Sequence, residues 1–432
     1  MGSQIESWPN WPEFSTEGAE LDQYNLDLKR SIIDQYGEGN LKSSWLKVCE
    51  KLAEVTADIS RDGTKLIPDL PFSEIMSLST ERRAEITSRG CCVVRGVIPE
   101  EEASKWFAEL KTFIKENEGS SSVSTWPHGH PFLRLYYTPT QMRARSHPNQ
   151  LAIQRILNSL WHDSTNETSS EPLTYCDAFK IRVPGIPFLG LPPHIDAGSL
   201  CRWADPTYRK VYDAVFSGRP SELDLYNLGT RKGANQAMFN AGAQSSVLRT
   251  FQGWTAITPL KHDEGGMLIY PNVETAVAYV LLRPFLKEPT DGDVMDASKW
   301  TLDTESGWFP GTFRDKSQMA SISSHPHLRL RDCMVHLPSL RPGDTVWWHS
   351  DMLHAVEVDH KGNEDTAVIY IAATPTTAIN QKYIAKQLQD FREGHIPHDF
   401  RPGFDADERK LKGFIGEDSI LPDGRKAFGM TS

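Results

Sequence analysis

Trp45, Val48, Leu52, Val55 and Ile59 recur at helical spacing, and Gly63 follows as a stop. This spacing predicts a helix inside a polar N-terminal segment, covering one side of a larger core. At Gly90 the pattern changes. Cys91-Cys92-Val93-Val94 is a short apolar run, and Arg95-Gly96-Val97-Ile98 leads into Pro99 and three glutamates, a favourable helix start. Trp106, Leu110, Phe113 and Ile114 give that helix an apolar face, and Gly119 ends it. The predicted order is strand, turn, amphipathic helix.

From about residue 130 to 375 short apolar or aromatic runs alternate with Gly, Pro, Asn and Asp. The runs are 132–137, 178–183, 250–257, 267–270, 276–282, 345–348 and 367–372. Many short strands between turns predict a sandwich or barrel. Two polar stretches, about 205–245 and 287–325, read as insertions, and from about 377 the chain is helical, then rich in Pro and Gly. The expected organisation is an N-terminal helical segment (1–85), a mainly β core (86–376) and a C-terminal helical and irregular extension (377–432). No internal repeat is present.

Composition narrows the partners. The chain has 432 residues, 39% hydrophobic and 24% charged, enough to bury a substantial core. The net charge of -11 argues against a nucleic-acid surface, and any anionic ligand would need its own local cation. Six cysteines (49, 91, 92, 176, 201, 333) form no CxxC pair, which argues against a disulfide framework or structural zinc and suits a reducing compartment. No apolar run approaches the ~18 residues of a membrane span. Residues 1–6 lack signal-peptide character, Gly2 is followed by Glu6 where myristoylation wants Ser or Thr, and Met430-Thr431-Ser432 is no peroxisomal signal. A cytoplasmic location is the expectation.

The chemistry concentrates in Pro192-Pro193-His194-Ile195-Asp196-Ala197-Gly198. Residues i and i+2 of a strand share a face, so His194 and Asp196 would project together and Ile195 would enter the opposite layer. One imidazole and one carboxylate are two-thirds of a facial triad for non-haem iron(II). A further histidine stands in the stretch from Arg341 to His354. There Pro342-Gly343-Asp344 makes a turn, Thr345-Val346-Trp347-Trp348 a strand, and both His349 and His354 are candidates. His128 and His130, His325 and His327, and His262, His336 and His360 read as solvated or turn histidines. Tyr136, Tyr137, Trp203, Trp347 and Trp348 would line an apolar mouth or belong to the core.

The order His194-Ile195-Asp196, Gly343-Asp344, Trp348-His349 and His354 resembles the double-stranded β-helix oxygenases, especially the phytanoyl-CoA-hydroxylase-like branch. Gly90 to Pro99, Trp254 to Pro259 and Gly265-Gly266-Met267 with Pro271 are similar to that branch's strands. His194 to Trp203 with Asp205-Pro206 and Tyr208-Arg209, Phe251 to Trp254, and Trp347-Trp348-His349 resemble the YbiU-like (DUF1479) family of the same superfamily. The resemblance covers about residues 85–400. It implies a jelly-roll core flanked by α-helices, with iron(II) held by His194, Asp196 and His354, and with 2-oxoglutarate as co-substrate. Dioxygen and a small-molecule substrate complete the implied reaction.

One implied part is missing. The far carboxylate of 2-oxoglutarate wants a cation, best an arginine. Relatives place that arginine about ten to fourteen residues beyond the distal histidine, yet no Arg occurs between Ala355 and Phe391. Arg249 is the first substitute, Arg202 the second, with hydroxyls from Thr250 and Thr366. Lys361, in a Lys-Gly-Asn turn, reads as solvated. Two other readings remain at this point: a zinc-dependent hydrolase, since two His and a carboxylate also suit zinc, and a catalytically silent sensor on the same fold.

Overall fold

The structure is a computed structural model and describes residues 5, 8–14, 22–126, 129, 131–196, 198–239 and 245–430. The expectations made on residues 1–4 and 6, on His128 and His130, and on Thr431 and Ser432 fall outside the described residues, as does Ala197 within the central motif.

Two large sheets face each other. The strands that build them are β1 (Asp69–Pro71), β2 (Cys91–Arg95), β3 (Thr125–Trp126), β4 (Phe132–Leu133), β5 (Phe179–Arg182), β6 (His194–Ile195), β7 (Phe251–Ala256), β8 (Met267–Ile269), β9 (Gln318–Met319), β10 (Val335–His336), β11 (Thr345–His349), β12 (His354–Val356) and β13 (Thr366–Tyr370). The eight-stranded sheet runs β1-β2-β11-β7-β13-β5-β4-β3, and the five-stranded sheet runs β9-β6-β12-β8-β10. β1 and β2 pair in parallel, and the other pairs within these two sheets are antiparallel.

Strand alternation assigns the faces of the large sheet. Phe179, Phe251, Trp347, Ala367 and Ile369 point outward into a core shared with helix α3. Val346, Trp348, Trp254 and Val368 point inward, toward the second sheet. Gly253 lies in the middle of β7 because the Trp347 ring covers it: a Cβ there would come within 2.5 Å of that ring.

Helices α1 (Gln23–Tyr36), α2 (Glu38–Asp62), α3 (Glu100–Glu116), α4 (Val273–Leu282) and α5 (Ala378–Glu393) surround the sheets. The apolar stripe of α2 includes all five residues whose spacing predicted it, and it packs on α4 and on the short helix Leu330–Cys333. Residues in helices outnumber those in strands, so a mainly β chain is corrected to large mixed sheets with extensive helix.

The run 276–282 also departs from expectation, being helix α4 rather than a strand. It is buried on every side, and a short fully apolar run has no periodicity to tell the two apart. Its start is set by Asn272, whose side chain accepts from the Thr275 amide. The run 132–137 shortens to the two-residue β4, while Tyr136 and Tyr137 turn into a cluster beneath α5. All six cysteines are buried and free. Among the described residues no helix is long and apolar enough to cross a membrane.

Candidate metal centre

β6 and β12 are neighbours in the five-stranded sheet, and their register pairs His194 directly with His354. Both imidazoles therefore leave the sheet on its inner face, side by side, with ring centroids 4.3 Å apart. Asp196 follows β6 and bends back between them. His194 Nε2 lies 3.4 Å from Asp196 Oδ1, and His354 Nε2 lies 3.5 Å from Asp196 Oδ2. The histidines are buried, whereas the Asp196 side chain keeps 31% of its surface exposed, so the cluster opens on the carboxylate side. Ile195 enters the helical layer behind the sheet, as alternation requires.

The other ring nitrogens are spoken for. His194 Nδ1 donates to the Pro192 carbonyl at 2.7 Å and His354 Nδ1 to the Met352 carbonyl at 3.0 Å. With Nδ1 protonated, a neutral imidazole carries its lone pair on Nε2. Two lone pairs then face the two oxygens of one carboxylate, an arrangement that calls for a cation between them. A backbone carbonyl fixing the tautomer is also the usual support of a metal-bound histidine. Burial alone would raise the Asp196 carboxyl; positive charge at the Nε2 positions, from a proton on His194 or from a metal, holds it well below the ordinary carboxylate range. Burial and the neighbouring His194 push the His354 imidazole down. The donor set fits a divalent metal without rearrangement.

His349 does not join this group. It ends β11 on the outer face of the large sheet, stacked on Trp161 at 4.8 Å with the rings 6° apart. Burial pushes its imidazole down to about 3, so it is neutral. Its Nδ1 accepts from the Asp351 amide at 3.0 Å. His349 thus pins the start of the turn whose end presents His354.

Asp351 carries the rest of that turn. It is fully buried, and its carboxylate accepts from Arg231 at both oxygens, from Arg202 at 3.3 Å and from the Tyr212 hydroxyl at 3.1 Å. Arg202 also donates to the Asp196 main-chain carbonyl at 3.1 Å. One buried network therefore ties both ligand-bearing segments to the polar insertion. Nothing in local spacing pointed to Asp351 or Arg231.

The expected co-substrate residues fare unequally. Arg202 is engaged in the network just described. The Thr366 hydroxyl donates to the Glu264 carbonyl at 2.8 Å, and the Thr250 hydroxyl donates to Asn158 at 2.6 Å. Arg249 is half-buried over the Tyr175 ring, 5.7 Å from its centroid, and makes no hydrogen bond or ion pair among the described residues. Of the aromatic residues only Trp348 reaches the centre, with its ring 5.2 Å from that of His354. Tyr136 stacks on Phe400, Tyr137 lies against Phe391, Trp203 donates to the Leu281 carbonyl and Trp347 faces outward. These belong to the core, not to a mouth.

Several histidines read as solvated are instead buried. His325 binds the Ser324 hydroxyl and His327 the Tyr279 hydroxyl beneath α2, and His360 is buried with Nδ1 accepting from the Gly362 amide. His336 pairs with Glu357 at 2.5 Å, and with Asp263 these form a second group whose donor atoms lie within 4.8 Å. That group is internally satisfied: Glu357 also accepts from the Gly266 amide and Asp263 faces Lys361. His262 is exposed, as expected.

A candidate His/Asp/His metal site, buried on its histidine side, is thus the class of site on view. The chain belongs to the Gig2-like family, whose model matches residues 19–430. It is 29% identical over 398 residues to the uncharacterized protein YbiU of Escherichia coli strain K12, covering 89% of this chain and 90% of that protein. The crystal structure of GlcNAc Inducible Gene 2 from Candida albicans is similar with a TM-score of 0.84 at 26% identity, covering 95% of this chain and 90% of that one. The hypothetical protein JW0805 of Escherichia coli is similar with a TM-score of 0.80 at 26% identity, covering 96% and 100%.

Proposed function

We propose that this protein is an iron(II)- and 2-oxoglutarate-dependent oxygenase acting on a small molecule, with the metal held by His194, Asp196 and His354. The observation that carries the reading is the pair of tautomer-fixed imidazoles on adjoining strands, both turned to one carboxylate. Two His and one carboxylate with an open side are the facial triad of non-haem iron(II) enzymes. Strand order supports it. In chain order β5, β7, β11 and β13 fall in one sheet and β6, β8, β10 and β12 in the other, the winding of a double-stranded β-helix. On this reading residues 86–376 are the jelly-roll core, with the described parts of 1–85 and 377–432 packed around it.

Iron(II) with 2-oxoglutarate supplies the oxidation: the keto acid and a substrate C–H bond each give two electrons to dioxygen, leaving succinate, carbon dioxide and a hydroxylated or otherwise oxidised product. The chain's own residues bind, orient and exclude water. Pro192 and Met352 carbonyls hold the imidazoles in one tautomer, Arg202 fixes the Asp196 backbone, and the Trp348 ring shields the His354 side. Substrate would enter over the exposed edge of Asp196.

The test is anaerobic reconstitution with iron(II), then addition of 2-oxoglutarate and oxygen. Succinate is expected even without a known substrate, through slow uncoupled turnover. Absence of succinate from iron-loaded protein overturns the oxygenase reading. Binding of 2-oxoglutarate without turnover would identify a sensor, and activity with zinc alone a hydrolase.

A further inference from the structure

The inner face of β5 carries two charged residues, Lys180 and Arg182, and both are buried. Register places Lys180 opposite Val368 and Arg182 opposite Thr366 on β13. Those partners stand fourteen and twelve residues beyond His354, the window in which the missing arginine was expected. The cation absent from β13 is thus present on the next strand, on the same face.

Arg182 is already committed. Its guanidinium donates to the Glu357, Ile186 and Val358 carbonyls and closes the end of the space between the sheets. Lys180 is different. It is 3% exposed, and its ammonium makes one hydrogen bond, 3.0 Å to the Gly265 carbonyl, with no ion pair among the described residues. Burial first, and then nearby Arg182, pull its pKa down to about 7, with Glu357 opposing. A buried ammonium without a carboxylate is costly, and such groups mark places where an anion arrives.

Unpartnered donors line the same inner face nearer the metal. Trp348 and Gln252 are register partners on β11 and β7, and the buried Trp348 Nε1 and Gln252 Nε2 have no hydrogen-bond partner among the described residues. A buried donor left without a partner calls for an explanation, and an absent ligand is one. Trp348, whose ring lies 5.2 Å from that of His354, its register partner Gln252, and Lys180 thus offer polar groups on one inner face, a set that suits an anionic molecule with polar groups at both ends.

We propose that Lys180 holds the far carboxylate of 2-oxoglutarate, in place of an arginine on β13. This rests on the oxygenase reading, and the experiment separates the two. Wild type and Lys180→Met are loaded with manganese(II), and binding of 2-oxoglutarate and of 2-oxobutyrate, which lacks the far carboxylate, is measured by calorimetry. Lys180→Met should weaken 2-oxoglutarate about 100-fold, the scale of a buried charge-assisted hydrogen bond, and leave 2-oxobutyrate unchanged. Unchanged 2-oxoglutarate affinity, equal loss of both ligands, or a selective loss in Arg249→Met instead would overturn the assignment. Failure of manganese-loaded wild type to bind 2-oxoglutarate at all would overturn the oxygenase reading with it.

A second readout needs no variant. The charged groups facing Lys180 are Arg182 on its own strand and Glu357 after β12. At pH 8 a group with a pKa near 7 is largely neutral, and an arriving carboxylate would draw a proton onto it. Binding heats in buffers of different ionisation enthalpy should report more proton uptake for 2-oxoglutarate than for 2-oxobutyrate. Equal uptake for the two would count against Lys180.

Discussion

His354→Ala is expected to abolish succinate formation and to weaken metal binding by at least about 100-fold, the scale that loss of a mere supporting group already reaches. His349→Ala, five residues away, should retain the metal and a measurable rate. The two histidines differ in what they face. His354 presents Nε2 to Asp196, whereas His349 is stacked on Trp161 on the far side of the large sheet. Removing His349 leaves a cavity against Trp161 and frees the Asp351 amide, a loss of about 2–4 kcal/mol of stability. Metal titration and denaturant unfolding on the same samples separate the effects. The reverse pattern would make His349 the third ligand.

Asp351→Asn should cost about 3–5 kcal/mol, because it leaves Arg202 and Arg231 buried around a neutral amide. The cluster holds two guanidiniums and one carboxylate, so the carboxylate is its only anion, and the two arginines hold it well below its ordinary range despite burial. The midpoint of urea unfolding measures the loss. Metal affinity should fall with it, since the same turn presents the Met352 carbonyl to His354. An Asp351→Asn protein of wild-type stability would mean that the arginines find other partners.

The candidate pair His194 and Asp196 was legible because its information is local, two residues apart; of the two, the strand carries only His194, and Asp196 comes back to it from just beyond the strand end. The choice of His354 over His349 rested on resemblance; the structure sets His354 beside His194 and Asp196 and His349 against Trp161. Two readings failed for one physical cause. The run at 276–282 and the histidines at 327 and 336 owe their state to partners elsewhere in the chain, Tyr279 for His327 and Glu357 for His336. Lys180 was hidden differently. In 178–183 apolar and charged residues alternate, and alternation gives the period of a strand but not which face is inward. Ordinarily the charged face meets water. Here Phe179 and Ile181 are covered by the outer core, and Lys180 and Arg182 face the interior.

The Asp351 network also has a kinetic side. Its members are separated from Asp351 by 149, 139 and 120 residues, so a long stretch of the core must be in place before the turn bearing His354 can lock. Closure over such spans is entropically late and slow. The two imidazoles would therefore meet only in the last phase of folding. In a refolding experiment tight metal capture should lag behind the gain of secondary structure. On the proposed iron reading, that order would keep a redox-active ion out of a half-made, water-filled site.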